Sequence, residues 1–161
     1  MEGSRQPASK LNFMAKEDSI LNLMLAHHAF IESLFLIFKD NLAGNPEAAP
    51  LALADFKNQL KKHFVSEEKA VFGFCKDKRD SELCRIVEIL MKQHEMMMDM
   101  VNNIEIALSV KKETDSETLE KMLRIHRDIE EKELYPEIDE RFGGPEKKIM
   151  IEEINKIVLE K

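Results

Sequence analysis

All five histidines of this 161-residue chain, His27, His28, His63, His94 and His126, fall inside stretches in which apolar residues recur every three or four positions. Helical spacing of that kind sets a residue on the face that packs inward. A fold that satisfies the apolar pattern must therefore bury imidazoles as well. Two of the histidines are followed four residues later by glutamate, His63 by Glu67 and His126 by Glu130, and four residues rotate a helix by only about 40°. The chain is confined to folds in which carboxylates and imidazoles share an interior, and whatever neutralises them belongs to the fold.

The elements that carry this pattern are long. Glycine and proline cluster at Gly44, Pro46 and Pro50, then at Gly73, then at Pro136, Gly143, Gly144 and Pro145, and no proline lies between Leu51 and Tyr135. The 3-4 spacing between these breaks predicts helices rather than strands. The first is expected from Asp18 or Ser19, either of which can cap free amides, to about Asn41. The second is expected over about 50–75 with the inward series Leu53, Phe56, Leu60, His63, Glu67, Ala70 and Phe74. The third runs from Asp80 or Ser81 to around Val110, with a heptad seam through Val87, Leu90, His94, Met97, Val101, Ile104 and Leu108. Ser116 opens the fourth, whose series is Leu119, Leu123, His126, Glu130 and Leu134, and Pro136 is expected to end or kink it. Gly143-Gly144-Pro145 stops one helix and starts another. The expectation is an all-α fold: an N-terminal arm over 1–17, an antiparallel up-down-up-down four-helix bundle over 18–142, and a short extra C-terminal helix over 143–161 packed on the bundle or at a dimer contact.

Composition removes several function classes. With 31 acidic against 24 basic residues the net charge is -7, the wrong sign for nucleic acid as main partner. The longest uninterrupted apolar run is Leu34 to Phe38, far below the roughly 20 residues of a spanning helix, so no membrane segment is expected. Met1 to Lys10 is polar and reads as no secretory leader. Cys75 and Cys84 lack CxxC spacing and read as packed thiols of a reducing, cytoplasmic compartment. The methionines Met91, Met96, Met97, Met98 and Met100 have helical spacing and read as core packing rather than a copper box.

The chain also repeats itself. His63, Glu67, Glu68, Lys69, Val71 and Phe72 match His126, Glu130, Glu131, Lys132, Leu134 and Tyr135 at an offset of 63 residues, from His63 to His126. The first and third helices each add histidine to an apolar stripe, so a helix hairpin is used twice. In a pseudo-twofold bundle both HxxxE pairs meet at one level. Two buried carboxylates cost several kcal/mol each unless paired, and Lys69 and Lys132, two residues past each glutamate, point away. Metal cations would resolve this, with neutral imidazoles as ligands and two carboxylates bridging two ions, which favours a dinuclear site. Glu68 and Glu131 read as solvated neighbours, and Tyr135 as packing near the helix end.

One histidine on each of the first and third helices, with HxxxEE on the second and fourth and Leu134-Tyr135-Pro136 after the last, resembles the hemerythrin-like HHE cation-binding family over about residues 18 to 142. The resemblance implies a four-helix bundle around a non-haem di-iron centre, two oxo- or hydroxo-bridged iron ions. His28, His63, His94 and His126 would be terminal ligands and Glu67 and Glu130 bridges. His28 is preferred to His27 because Ile31-Glu32-Ser33-Leu34-Phe35 after it is similar to the family's segment; the apolar arc does not separate the two. Oxygen-carrying members place a second histidine where Met98 stands, and use a longer final spacing ending in aspartate where Glu130 stands at four. The chain is thus more similar to members linked to iron, oxygen or nitric oxide sensing and to iron-sulfur repair.

The expectation is a cytoplasmic metal-binding protein that takes a small ligand such as O2, peroxide or NO, for sensing, scavenging or iron handling rather than substrate turnover. A homodimer or a downstream protein is the expected macromolecular partner. The rival readings are a metal-free or zinc-stabilised helical interaction module, and a di-iron oxidase or peroxidase, whose ferritin-like ExxH order is the reverse of the order here.

Overall fold

A computed structural model describes residues 19–77 and 81–159. The N-terminal arm expected over 1–17 lies outside them. All regular structure among the described residues is helical: α1 Ile20–Gly44, α2 Ala49–Ala70, α3 Phe72–Asp77, α4 Ser81–Ser109, α5 Ser116–Ile129, a π-helical turn Glu130–Leu134, α6 Tyr135–Arg141 and α7 Gly144–Leu159.

Local chemistry sets the boundaries. Ser19 caps α1, its Oγ accepting from the Asn22 amide at 3.1 Å. The Asp139 carboxylate of α6 completes that cap across the fold, accepting from Ile20 N at 2.8 Å, Leu21 N at 3.1 Å and Ser19 Oγ at 2.8 Å. α1 runs to Gly44, three residues past the expected Asn41. Asn45 closes α1, its amide on the Asn41 carbonyl at 2.8 Å, and starts a turn in which the Ala48 amide meets the Asn45 carbonyl at 2.9 Å; Pro50 occupies the first turn of α2. α5 opens at Ser116 as expected, with Asp115 before it as the cap, accepting from the Thr118 amide at 3.0 Å.

One expectation is corrected and another refined. The single helix over 50–75 is interrupted at Val71, because Ala70, Val71, Phe72 and Cys75 are all buried and one straight helix cannot turn consecutive residues toward the same core. The fourth helix is disturbed as expected, but ahead of the proline: α5 stops at Ile129, before Pro136 is reached. The proline ring cannot share space with the carbonyl four residues back, and the chain answers with the π turn: the Tyr135 amide reaches back five residues to the Glu130 carbonyl. Pro136 then sits in the first turn of α6, where its missing N–H leaves nothing unpaired.

Register follows from side-chain pairs. His28 and His63 rings lie 4.8 Å apart and Phe35 and Phe56 rings 5.1 Å apart, so numbers rise along α1 as they fall along α2. The same inverse order joins α2 to α4, through Glu68 with His94 and Lys57 with Glu105, and α1 to α5, through Glu32 with Arg127 and Lys39 with Glu120. One apolar core, including Phe35, Phe38, Phe56, Leu60, Met97 and Leu119, is shared by α1, α2, α4 and α5. A second, including Met24, Phe72, Leu90, Tyr135, Met150 and Ile154, brings in α3, α6 and α7. α7 lies along α2 and touches α1. The histidines and glutamates form the layer between the two cores.

α1 contains an 18-residue window of mean hydropathy 1.6, so by length and composition alone it could cross a bilayer, which an uninterrupted-run criterion does not register. Its inward residues Met24, His28, Ile31, Phe35 and Phe38 are buried within the fold, while outward Phe30 and Ile37, 52% and 50% exposed, keep the average high.

Replacing Asp139 removes the acceptor for three donors at the start of α1, and Asp139→Ala is expected to lower stability by about 0.5–2 kcal/mol, the range for lost N-caps. Chemical denaturation with an unchanged m-value is the check.

Candidate metal centre

The helices deliver the predicted residues to one place. His28, His63, Glu67, His94, His126 and Glu130 are each buried, with both glutamates at 0% exposure. The i, i+4 spacing works as expected on both helices, with His63 Nε2 3.5 Å from Glu67 Oε2 and His126 Nε2 2.8 Å from Glu130 Oε1. Donor atoms converge in two groups that share Glu130. In one, donor atoms of Glu67, His94, His126 and Glu130 all lie within 4.8 Å of one another, and in the other those of His28, His63 and Glu130 do. Glu130 faces both ways: Oε2 lies 3.1 Å from His28 Nε2, and Oε1 faces His126. Glu67 Oε2 sits between His94 Nε2 at 3.2 Å and His63 Nε2 at 3.5 Å.

His28 Nε2 and His63 Nε2 are hydrogen bonded to each other at 3.1 Å, but most of the other inward atoms are close without being hydrogen bonded. Glu67 Oε2, both oxygens of Glu130, His94 Nε2 and His126 Nε2 are buried with no hydrogen-bond partner among the described residues. The imidazole protons are engaged elsewhere. His28 Nδ1 donates to Glu131 at 2.7 Å, His94 Nδ1 to Glu68 at 2.8 Å and His126 Nδ1 to Gln93 at 2.9 Å. A proton held on Nδ1 turns the Nε2 lone pair inward, where it takes either a second proton or a metal ion. Three lone pairs and two carboxylates aimed at common points are the donor set that first-row transition ions bind. The residues therefore fit a metal centre.

The charges point the same way. Burial, and then the Glu130 charge, push Glu67 above the usual carboxylate range. Burial would raise Glu130 too, but His126, His28 and His94 outweigh it and hold that carboxyl well below the usual range. Burial alone would depress His94, yet the carboxylates of Glu130, Glu67 and Glu68 carry it up to about 11. His28 is raised in the same manner, chiefly by Glu130 against its own burial. His63 falls well below its ordinary value through burial and the neighbouring His28. The site demands positive charge, and protons on His28 and His94 are what the protein itself can supply.

Sequence reasoning missed the partners of this cluster. Glu68 and Glu131 are not merely solvated: each accepts from the histidine of a neighbouring helix, and the doubled glutamate in both HxxxEE repeats was the available signal. Tyr135 is fully buried and its hydroxyl donates to Glu67 Oε1, which burial and the Glu130 and Glu67 charges accompany by raising the phenol well above its ordinary value. In a regular helix Tyr135 would stand about 140° from Glu130; the π turn brings it round to the same side. His27 stays outside both donor groups. It is half-buried, its ring 6.1 Å from His63 and its Nδ1 without a hydrogen bond among the described residues. Lys69 and Lys132 are exposed, and Met97 is core while Met96 is 46% exposed.

The family model of the hemerythrin HHE cation binding domain matches residues 19–138. No curated protein and no solved structure matches the chain.

Burying Glu67 beside Glu130 opposes folding when no cation is bound. Glu67→Gln keeps an acceptor for the Tyr135 hydroxyl and replaces Oε2 with a donor. The chelator-treated variant is expected to be more stable than the chelator-treated parent by about 1–2 kcal/mol, read by thermal or chemical unfolding.

Proposed function

The chain belongs to the hemerythrin HHE cation-binding family, and from that premise we propose that it is a non-haem di-iron protein, built on an up-down-up-down four-helix bundle, that binds a small ligand such as O2, peroxide or NO. The observation that carries this reading is the pair of donor groups joined through Glu130. His28 and His63 would serve one ion and His94 and His126 the other, with Glu130 between them and Glu67 held by Tyr135. The inverse registers of α1 with α2, α2 with α4 and α1 with α5 support the bundle arrangement. The buried His28 of α1, set against Glu130 and His63, supports its reading as a core helix rather than a membrane span.

Two iron ions would supply redox-active binding of a diatomic ligand. The protein's own part is to hold the imidazoles by their outer nitrogens, to keep bulk water away with the apolar cores on either side, and to leave ligand positions unfilled, since six side chains do not saturate two ions. No side chain in the cluster is a free nucleophile or an organic-substrate clamp, which favours sensing, scavenging or iron handling over turnover. Cys75 and Cys84 form no disulfide among the described residues, in keeping with a reducing, cytoplasmic setting.

Protein loaded anaerobically with ferrous iron and titrated with NO, then separately with O2, is expected to give a saturable change in the visible spectrum. No change with either would contradict the reading. Glu68→Ala and Glu131→Ala, which release His94 and His28, are expected to weaken iron binding about 10- to 100-fold in a chelator competition.

A further inference from the structure

A cavity of ≈ 310 Å³ opens between α1 and α5 and ends on His28, His63 and His126. α1 and α5 are not among the helix pairs in close backbone contact; the Lys39–Glu120 and Arg127–Glu32 ion pairs span the gap. The cavity wall is apolar, made by Ile31, Phe35, Phe56, Leu60, Phe64 and Leu123. Its volume equals about ten water-sized groups, far more than a diatomic needs and at the lower end of organic-ligand pockets. The mouth carries four charged side chains. Glu32, Glu120 and Arg127 are each in an ion pair, whereas the exposed Arg124 is in none among the described residues. Paired charges cancel at the mouth, and the guanidinium that remains matches a carboxylate.

We propose that this cavity binds a small organic monocarboxylate, with its acid group on Arg124 at the mouth and an apolar chain of about ten atoms or fewer lying between α1 and α5 toward the histidines. An alcohol would fill the wall without satisfying Arg124, and an amine would meet it with like charge. The site goes beyond the small-ligand reading and does not depend on it, because neither the wall nor Arg124 belongs to the donor groups.

Isothermal calorimetry on the full chain, iron-loaded and chelator-treated, with octanoate, octanol and octylamine is the test. Saturable octanoate binding in both forms is expected, tighter than octanol and much tighter than octylamine. Arg124→Gln is expected to weaken octanoate roughly fivefold and leave octanol unchanged, while Leu123→Trp, which fills the cavity, removes both. Leu36→Trp at the exposed mouth leaves the core intact and is expected to weaken octanoate as well, so the test survives a misfolded Leu123→Trp. No saturable octanoate binding, octylamine binding as tightly as octanoate, or octanoate affinity unaltered in Leu36→Trp overturns the proposal. Loss of iron binding with octanoate binding retained would overturn the metal reading alone.

Discussion

Two carboxylates, Glu67 and Glu130, are fully buried side by side, and three of their four oxygens have no hydrogen bond among the described residues. Left alone, that arrangement is unfavourable by several kcal/mol per charge, and the surrounding architecture answers it. Four helices bring one imidazole each to the carboxylates, and Glu68, Gln93 and Glu131 hold three of those rings by their outer nitrogens. Apolar cores above and below keep water from relieving the charge. These elements read as a response to the buried acids, and a cation is the component that would complete them.

The internal repeat gives this layer its near-twofold character. Glu68 receives the His94 proton as Glu131 receives that of His28, and Phe72 lies 5.6 Å from the His94 ring much as Tyr135 lies 5.9 Å from His28. The departures from symmetry are chemical. Phe72 has no hydroxyl, so Tyr135 secures Glu67 while no phenol among the described residues hydrogen-bonds Glu130. Gln93, just before His94, accepts from His126, whereas His27, just before His28, stands edge-on to His63 with its Nδ1 unbonded among the described residues. The two halves thus present unlike environments to whatever they bind: one is restrained by a phenol and an amide and shows only His126 to the cavity between α1 and α5, and the other shows both of its histidines, His28 and His63.

Much of this was legible in residue order. Caps, glycine and proline positions and the 3-4 pattern are local properties, so helix limits fell within a few residues, and the His63-Glu67 and His126-Glu130 pairs follow from rotation about a single axis. Relative rotation and height of two helices are not local. Periodicity therefore set His94 on the inner seam but could not show that Glu68 on α2 would reach it, nor that Glu131 would reach His28. The π turn was equally hidden: Pro136 announced a disturbance, while its form depends on where the core lets Leu134 and Tyr135 go. Tyr135 entered the site through that turn. The break at Val71 was missed because burial of consecutive residues is a property of the assembled core and not of the helix that enters it.

The account rests on the six buried side chains holding metal, and metal content per chain tests it most directly. Elemental analysis of protein prepared without metal-chelating resin, and again after anaerobic loading with ferrous iron, is predicted to give about two ions per chain, falling to less than one in the His63→Ala, His126→Ala double variant. Little or no metal after loading, or an unchanged count in the double variant, would contradict it.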